Sequence, residues 1–443
     1  MMKKSVFAAL IIAGFVFAAC DKKDDTEPQQ EPSEQTNPSE PVLRFDTTSV
    51  NQEALTESFD GDFAFNIVKQ LNTAIDGNFL LSPVSVELAF AMLANGADGN
   101  SRQQILNAFG YGSKSIDDLN NRCRAVISEW YKLNSQYASQ SEELIQYGES
   151  QQPQTIETAN AIWTDRRAPL FEEYISLCNR SFDAEAATLN FANKDSSLAV
   201  MNGWCNQKTH GLIPKMLNED DIDENTITVL ANALYFKADW LFQFEKDATI
   251  KADFTSANGY VSQVDMMHQQ QQFRYVRTEN FAMAELPYNG TTCMDVILPD
   301  SGISVSQCIE QLSQVRFAAA IEKMLMKELL VSLPKFDLDF NHQLVEIMKQ
   351  LGIVDVFDSE KADLSKMGGG YDDAYVNKAF QLSRIKVEES GTEAAAVTAV
   401  VVAEKAVMPG EAIEFNVNRP FAYIIRDKQT NTILFVGKVE SLN

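Results

Sequence analysis

The pattern of hydrophobic and polar residues changes character between residues 392 and 402. Residues 392–396 are Thr-Glu-Ala-Ala-Ala, which include strong helix formers, whereas residues 397–402 are a β-branched run with strand propensity. Local preferences that disagree in this way are typical of functional or switching segments. The pattern therefore indicates a segment that is an exposed loop in one state and a β-strand in another.

Read with a period of two, this segment has one face without charge or proline. That face consists of Thr392, Ala394, Ala396, Thr398, Val400 and Val402. The opposite face carries Glu393, so the segment could enter the middle of a sheet with this charge left in solvent. An ordinary core strand after an alanine-rich turn is the alternative, but the polar and turn-forming flanks at 388–391 and 405–411 favour an exposed segment.

Two further regions have the apolar periodicity of amphipathic helices. Asp62 to Ile75 places five apolar residues along one helical face and is followed by Gly77, a typical helix stop. Asn341 to Leu351 repeats the arrangement, with Asn341 as the N-cap candidate. These patterns predict one helix in each region.

The C-terminal region alternates in the manner of a β-hairpin. Phe421–Ile425 and Ile433–Val439 are two apolar runs separated by the polar turn DKQTN, which predicts two paired strands. By contrast, residues 131–154 are rich in Ser, Gln, Glu and Tyr without a specific pattern. We interpret that segment as a candidate insertion.

The N-terminus has the pattern of an export signal. Lys3 and Lys4 precede an apolar run, Val6 to Phe17, and the small-residue site Ala18-Ala19-Cys20 follows. This pattern resembles a bacterial lipoprotein signal over residues 1–20, with Cys20 lipidated after cleavage, although Phe17 stands where Leu is more usual. A cleaved secretory signal without lipid is the alternative.

Residues 21–43 are acidic, proline-rich and poor in hydrophobic residues, which predicts a disordered tether. The start of this tether, CDKKDD, resembles a signal that sends lipoproteins to the cell surface in one group of Gram-negative bacteria. The expected location is therefore the outer membrane, with the membrane contacted through the lipid on Cys20.

Charge and motif content exclude several function classes. The 443 residues include 37 Lys and Arg against 62 Asp and Glu, a net charge of −25, which disfavours nucleic acid as a partner. There is no Lys/Arg cluster that would suit heparin. The three histidines lie in no GxSxG or HExxH motif, and the five cysteines besides Cys20 form no CxxC pair. No enzyme activity, cofactor or metal site is therefore predicted.

The switching segment and a series of further motifs resemble one protein family. EESGTEAAAVTAVV (388–401) resembles the hinge of the reactive loop of serpins, and supporting motifs follow the order expected for that family. These are NFLLSPVSVELAFAMLANGADGNSRQQI (78–105), MNGWCNQKTHGLIPKML (201–217), LANALYFKADWLFQF (230–244), VDMMHQQQQFRY (264–275), ELPYNG (285–290), VSLPKFDLDF (331–340), MKQLGIVDVF (348–357) and NRPFAYIIRDKQTNTILFVGKV (418–439).

The resemblance implies a single domain over residues 44–443. Its fold would be α+β, with three β-sheets, eight or nine helices and an exposed reactive loop. The implied function is suicide inhibition of serine proteases by loop cleavage and insertion into the main sheet, and the implied state is a monomer. A serpin-fold protein that acts as a binding or carrier module is the alternative, but such proteins often carry a charge, a bulky residue or proline on the inward hinge face.

The resemblance also implies roles for individual residues. The hinge comprises Glu389, Gly391, Thr392, Glu393, Ala394, Ala395, Ala396 and Thr398. Sheet opening would be controlled by Ser82, Ser85, Asn232, Gln381, Trp240 and Lys335, with Gln381 at a position that is usually His. Lys335 and Glu389 match a salt-bridged pair of the family.

The family spacing of fourteen residues from the hinge glycine Gly391 places the reactive bond at Lys405-Ala406. A lysine there implies trypsin-like targets, with elastase-like or cysteine proteases as further candidates. The segment from Lys405 to Pro420 is slightly long for the family, so Val407-Met408 and attack at Val402 remain alternative bonds.

Overall fold

The structure is a computed structural model that describes residues 45, 53–56, 63–146, 154–223, 225–370, 374–392 and 412–442. Within residues 43–443, the described parts form one compact unit. The signal and tether predicted for residues 1–43 lie outside the described residues.

Nine α-helices of six or more residues are present in the described ranges, together with one shorter turn of helix, α1. The helices are α1 (Glu53–Thr56), α2 (Phe63–Ala74), α3 (Pro83–Gly96), α4 (Gly99–Ala108), α5 (Ile116–Gln146), α6 (Glu172–Phe182), α7 (Lys194–Lys208), α8 (Val305–Gln311), α9 (Gln314–Glu322) and α10 (Val345–Gln350). The helix predicted at Asp62–Ile75 is confirmed as α2, whose Ile67, Val68 and Leu71 are buried.

The strands of the described residues form two hydrogen-bonded sheets. They are β1 (Phe79–Leu81), β2 (Thr155–Asp165), β3 (Glu185–Leu189), β4 (Thr228–Asp239), β5 (Ile250–Thr255), β6 (Val261–Arg277), β7 (Phe281–Pro287), β8 (Thr292–Pro299), β9 (Leu325–Pro334), β10 (Phe336–Gln343), β11 (Val376–Val387), β12 (Gly391–Thr392), β13 (Ile413–Asn416), β14 (Phe421–Asp427) and β15 (Ile433–Val439). The predicted C-terminal hairpin is confirmed as the antiparallel pair β14 and β15.

The six-stranded sheet has the strand order β10-β11-β12-β4-β2-β3, and β11 also pairs directly with β4. The nine-stranded sheet joins β1, β15, β14, β8, β7, β6, β9 and β13 in that order, with β5 attached to β6. The long strand β6 pairs with β9 over Met266–Tyr275 and with β7 over Arg274–Arg277. Two of the three expected sheets therefore share β6.

The two faces of the six-stranded sheet pack against different hydrophobic clusters. On β4, Leu230 and Leu234 belong to the main core, which also contains most of the buried helix α3. Val229, Ala231 and Ala233 point the other way, into a second cluster with the apolar side of α7. Since alternate residues of a strand point to opposite faces, any strand placed beside β4 would contribute to both clusters.

The prediction that Asn341 caps a helix is wrong. Asn341 lies in β10, which pairs with β11 at eight register positions, and α10 begins at Val345 after Leu344. The Asn341 side chain instead donates a hydrogen bond from Nδ2 to the carbonyl oxygen of Met216 at 2.9 Å. Continuous sheet hydrogen bonding therefore outweighs the local capping preference here.

The candidate insertion at 131–154 is in large part helical. Residues 131–146 continue α5, which is 31 residues long, and residues 147–153 lie outside the described parts. Asn134 fixes this half of the helix to the sheet, because its side chain both accepts from Ile156 N at 2.9 Å and donates to Ile156 O at 2.8 Å.

Candidate functional site

The start of the switching segment is already part of the sheet. Gly391 and Thr392 form β12, in which Thr392 pairs with Ala238 of β4 on one side and with Val387 of β11 on the other. A Cβ atom on residue 391 would lie 2.2 Å from the Ala238 carbonyl oxygen, so only glycine fits. The segment thus enters the sheet at a point where β4 and β11 diverge.

Thr392 is held from the core side. It is 1% exposed, and its hydroxyl lies 2.6 Å from the hydroxyl of the buried Tyr288. The Tyr288 ring stacks on Trp240 with ring centroids 4.3 Å apart. The inward orientation predicted for Thr392 agrees with these contacts.

Trp240 makes hydrogen bonds to the turn at residues 388–390, just before Gly391. Its indole Nε1 donates to the Glu388 carbonyl at 2.9 Å, and its backbone N–H donates to Ser390 O at 2.8 Å. Phe244 N donates to Glu389 O at 2.9 Å. These bonds hold residues 388–390 against the end of β4.

Lys335 and Glu389 form the expected ion pair. Lys335 Nζ lies 2.8 Å from Glu389 Oε2, and Thr249 Oγ1 donates to the other carboxylate oxygen at 2.9 Å. Burial raises the pKa of the Glu389 carboxyl, but hydrogen bonds from Lys335, the backbone and Thr249 outweigh it and hold this pKa below its usual value. The interaction therefore stabilises the fold at neutral pH and is lost as pH falls through the lowered pKa.

Ser82, Ser85, Asn232 and Gln381 form a buried polar cluster. Gln381 Nε2 donates to Ser82 O at 2.7 Å and to Asn232 Oδ1 at 3.2 Å, and Gln381 Oε1 accepts from Ser82 N at 3.1 Å. Asn232 Nδ2 donates to both the Ser85 hydroxyl and the Ser85 carbonyl. Because Asn232 in β4 and Gln381 in β11 are register partners, the cluster spans the junction of these strands.

Asn160 belongs to this cluster and was missed by the sequence analysis. It is 1% exposed, pairs in register with Asn232 across β2 and β4, and accepts from Asn232 Nδ2 at 3.1 Å. Tyr288 and Thr249 of the hinge surroundings were missed as well. The one local signal that could have identified Asn160 is an amide inside the otherwise apolar run at residues 159–163.

Other predicted site residues lie outside the described residues. These are Cys20, Glu393, Ala394, Ala395, Ala396, Thr398, Lys405 and Ala406. Their roles remain predictions from the sequence.

A buried acidic group lies away from the hinge, around Glu285, Cys293 and Asp295. The buried Arg426 guanidinium donates to Asp295 Oδ2 at 2.7 Å and to Glu285 Oε2 at 2.6 Å. Because arginine already supplies the positive charge, we interpret this group as a structural ion-pair network.

Among the described residues, no helix is both long and apolar enough to cross a membrane.

Replacing the Gln381 amide with a titratable side chain should make the stability of the fold depend on pH. In Gln381→His, an imidazolium would place a donor against the Ser82 N–H in a fully buried site, so we expect the folded-state pKa of this histidine to fall below ~6.5. The free energy of unfolding of the variant should then decline as pH falls below ~6.5, by about 1 kcal/mol at pH 5.5 relative to wild type. Chemical denaturation at pH 7.5 and 5.5 measures this.

Gln381→Met is the matched control, because it removes the same hydrogen bonds without adding a titratable group. Its stability loss should be the same at both pH values. Parallel pH profiles for Gln381→His and wild type would show that the cluster tolerates a charged ring.

Comparison with known proteins agrees with this architecture. The family model "Serpin (serine protease inhibitor)" matches residues 59–442. Human serpin B11 is 30% identical over 390 residues, covering 86% of this chain and 97% of the relative. Human antithrombin-III is 32% identical over 367 residues, covering 82% of this chain and 76% of the relative.

Solved structures give the same result. The native state of the thermophilic serpin tengpin superimposes with a TM-score of 0.75 at 29% identity, covering 89% of this chain and 95% of tengpin. Native protease nexin-1, solved with heparin, gives a TM-score of 0.74 at 27% identity, covering 88% of this chain and all of that chain. Fold, hinge geometry and these matches together show that the chain belongs to the serpin family.

Proposed function

We propose that this serpin inhibits serine proteases as a suicide substrate, whose cleaved reactive segment inserts as a new strand between β4 and β11. The observation that carries the proposal is β12, which already occupies the first two positions of that strand. Relatives named antithrombin-III and leukocyte elastase inhibitor support inhibition at the level of the family.

The register of β12 indicates where each following residue would go. If the antiparallel pairing continued from Thr392 and Ala238, Thr398 would lie opposite Asn232 and Gln381, which belong to the polar cluster. The same count places Val402 opposite Thr228, the first residue of β4. The predicted insertion segment thus has the length of the strand beside it, and the hydroxyl of Thr398, its one inward hydroxyl after Thr392, would meet the polar cluster.

Insertion would replace one set of backbone hydrogen bonds, between β4 and β11, with two sets, one on each side of the new strand. β4 and β11 now pair at six register positions, from Val376 and Thr228 to Leu382 and Ala233, and these must separate. An inserted strand would bond on both sides, at ~0.5–1.5 kcal/mol for each hydrogen bond gained, and would bury Val400 and Val402 at ~1.5–3 kcal/mol each. The net gain is on the order of 10 kcal/mol, so the uninserted form is held kinetically.

Both faces of the inserted strand would be used. The even-numbered residues share the face of Thr392 and would enter the main core. The odd-numbered residues Val397, Ala399 and Val401 would lie level with Ala233, Ala231 and Val229 and add to the cluster beneath α7. Glu393, which belongs to the hinge, would be the one charge on that outer face between residues 393 and 403.

Inhibition then depends on the relative rates of two steps, which are insertion of the loop and hydrolysis of the ester bond to the protease. The protease serine attacks the carbonyl carbon of Lys405, forms an ester with it and releases the amine of Ala406. Insertion carries the ester-linked protease along the sheet before water can hydrolyse the bond. The cleaved loop is consumed in this process, so each molecule acts once.

The test is the formation of SDS-stable complexes between the soluble domain and a panel of serine proteases. We expect a covalent band with trypsin-like enzymes and loss of their activity in proportion to that band. Quantitative loop cleavage by every protease without a covalent band would instead favour the carrier alternative.

We also propose that the protein is anchored to a membrane through lipid on Cys20, because Cys20 ends a small-residue site after an apolar run. The change Cys20→Ala should move the protein from the membrane fraction to the soluble fraction, as followed by fractionation and immunoblotting. Cys123→Ala, which alters a buried thiol, is the control and should stay with the membrane. A Cys20→Ala protein found wholly in the membrane pellet would contradict the anchor.

A further inference from the structure

A cleft of about 460 Å³ opens between the two sheets, next to the turn at residues 388–390. One wall of the cleft is the antiparallel pair β5 and β6, and the other wall is the pair β10 and β11. The walls meet where the backbone N–H of Lys335 donates to the carbonyl oxygen of Asp265 at 2.8 Å. A volume of this size is typical of binding sites for small organic ligands.

The third side of the cleft is a fixed stretch of chain at residues 441–442. The Asn78 side chain accepts from Ser441 N at 3.0 Å and donates to Ser441 O at 2.8 Å. The Ser262 hydroxyl donates to the carbonyl oxygen of Leu442 at 2.5 Å. Because these bonds hold the chain in place, the cleft is formed before any ligand arrives, which lowers the entropic cost of binding.

Apolar side chains lie deep in the cleft, and charged side chains lie at its rim. Val264, Phe336 and Leu442 line the cleft and are between 5% and 8% exposed. By contrast, the side chains of Lys251 and Lys386 are 63% and 43% exposed. A ligand would therefore bury an apolar body and present a polar group to the rim.

The rim has more hydrogen-bond donors than its own ion pairs use. Lys386 Nζ lies 2.9 Å from Glu388 Oε1, and Lys335 Nζ lies 3.8 Å from the same oxygen. The third lysine, Lys251, contacts Asp265 Oδ1 at 3.0 Å. Each ammonium group carries three N–H donors, so donors remain for a further acceptor.

The carboxylates of the rim are less available than the lysines. Both oxygens of Asp337 accept from Arg384, at 3.0 and 2.9 Å. The side chain of Glu388 is 22% exposed, against 43% for Lys386, with which it pairs. A ligand would therefore meet the ammonium groups first, and charge-assisted hydrogen bonds from these groups suit an anion.

We propose that this cleft is a binding site for a small organic anion, a carboxylate with an aromatic or aliphatic body. The body would lie against Phe336 in the depth of the cleft, and the carboxylate would accept hydrogen bonds from Lys386 and Lys251. Glu388 would compete with the ligand for the donors of Lys386. This site goes beyond the proposed inhibition and is independent of it, because binding needs no strand insertion.

The test is calorimetric titration of the intact chain with 2-naphthoate. We expect a Kd of roughly 0.1–1 mM, the affinity usual for a ligand of this size. The neutral 2-naphthamide and the cationic 2-naphthylmethylammonium have the same aromatic body and are the matched ligands. Each should bind about ten-fold more weakly, because neither offers a carboxylate to the lysines.

Two charge variants of the protein should act in opposite directions. Lys386→Gln removes donors and should weaken 2-naphthoate binding about ten-fold, whereas Lys386→Arg keeps the charge and should retain it. Glu388→Gln removes the competing carboxylate and should strengthen binding about three-fold. Lys361→Gln alters an exposed lysine outside the cleft, so this control should bind as wild type does.

Three outcomes would overturn the site. They are no measurable binding of 2-naphthoate by wild type at about 5 mM, equal affinity of wild type and Lys386→Gln for 2-naphthoate, and tighter binding of the ammonium ligand than of the carboxylate. A loss of fold cannot imitate the expected result, because Glu388→Gln should gain affinity and Lys386→Arg should keep it. Circular dichroism of each variant confirms folding.

Discussion

Replacing Thr392 with arginine is expected to convert the protein from an inhibitor into a substrate. Thr392 is 1% exposed, its hydroxyl contacts Tyr288, and it lies between β4 and β11. Arginine there would bury an unpaired charge next to Tyr288 at a cost of several kcal/mol, so we expect residue 392 to leave the sheet and its return to become an added cost of insertion. When insertion is slower, water hydrolyses more of the acyl-enzyme before the loop has inserted. The yield of covalent complex should therefore fall at least about ten-fold.

The measurement is the ratio of covalent complex to cleaved product after reaction with trypsin, by SDS gel. Glu393→Arg is the matched control, because it places the same side chain on the adjacent outward position, and its complex yield should stay close to wild type. Equal complex yield and rate for Thr392→Arg and wild type would rule out insertion through this position.

The second large effect concerns Lys405, the residue that we propose the protease attacks. Lys405→Glu should slow complex formation with trypsin by roughly 10³-fold, because a carboxylate would face the acidic base of the specificity pocket and like charges in contact cost several kcal/mol. Lys405→Arg keeps the positive charge and should retain inhibition. Inhibition kinetics under excess inhibitor measure both variants.

Mass spectrometry of the fragment released on complex formation locates the bond directly. A new N-terminus at Ala406 supports the assignment. An N-terminus at Met408 or at Ala403 would move the reactive bond to one of the alternatives, and unchanged inhibition of trypsin by Lys405→Glu would contradict Lys405 as the contact residue.

The sequence predicted those residues of the site that belong to a recognisable local pattern or motif. The period of two at residues 392–402 assigned Thr392 to the inward face, and the buried position of Thr392 agrees with it. Ordered motifs identified Trp240, Lys335 and the polar cluster, and the structure brings each group together. These residues could be predicted because a short motif around each one carries the family resemblance, although the contacts between them join distant parts of the chain.

The features that were missed depend on contacts between distant strands. Tyr288 meets Thr392 across 104 residues, and Arg384 meets Leu212 across 172. Neither contact leaves a periodic signal, since it depends on the register of separate strands. Asn341 was assigned wrongly for the same reason, because the pairing of β10 with β11 decides its conformation.

The most direct test of strand insertion compares the thermal unfolding of the intact domain with that of the same domain cut within residues 393–411. Insertion worth on the order of 10 kcal/mol predicts that the cut protein unfolds at least roughly 10 °C higher, although its chain is broken. The cut Thr392→Arg variant should show a much smaller rise. A cut wild-type domain that unfolds at or below the temperature of the intact one would contradict insertion between β4 and β11.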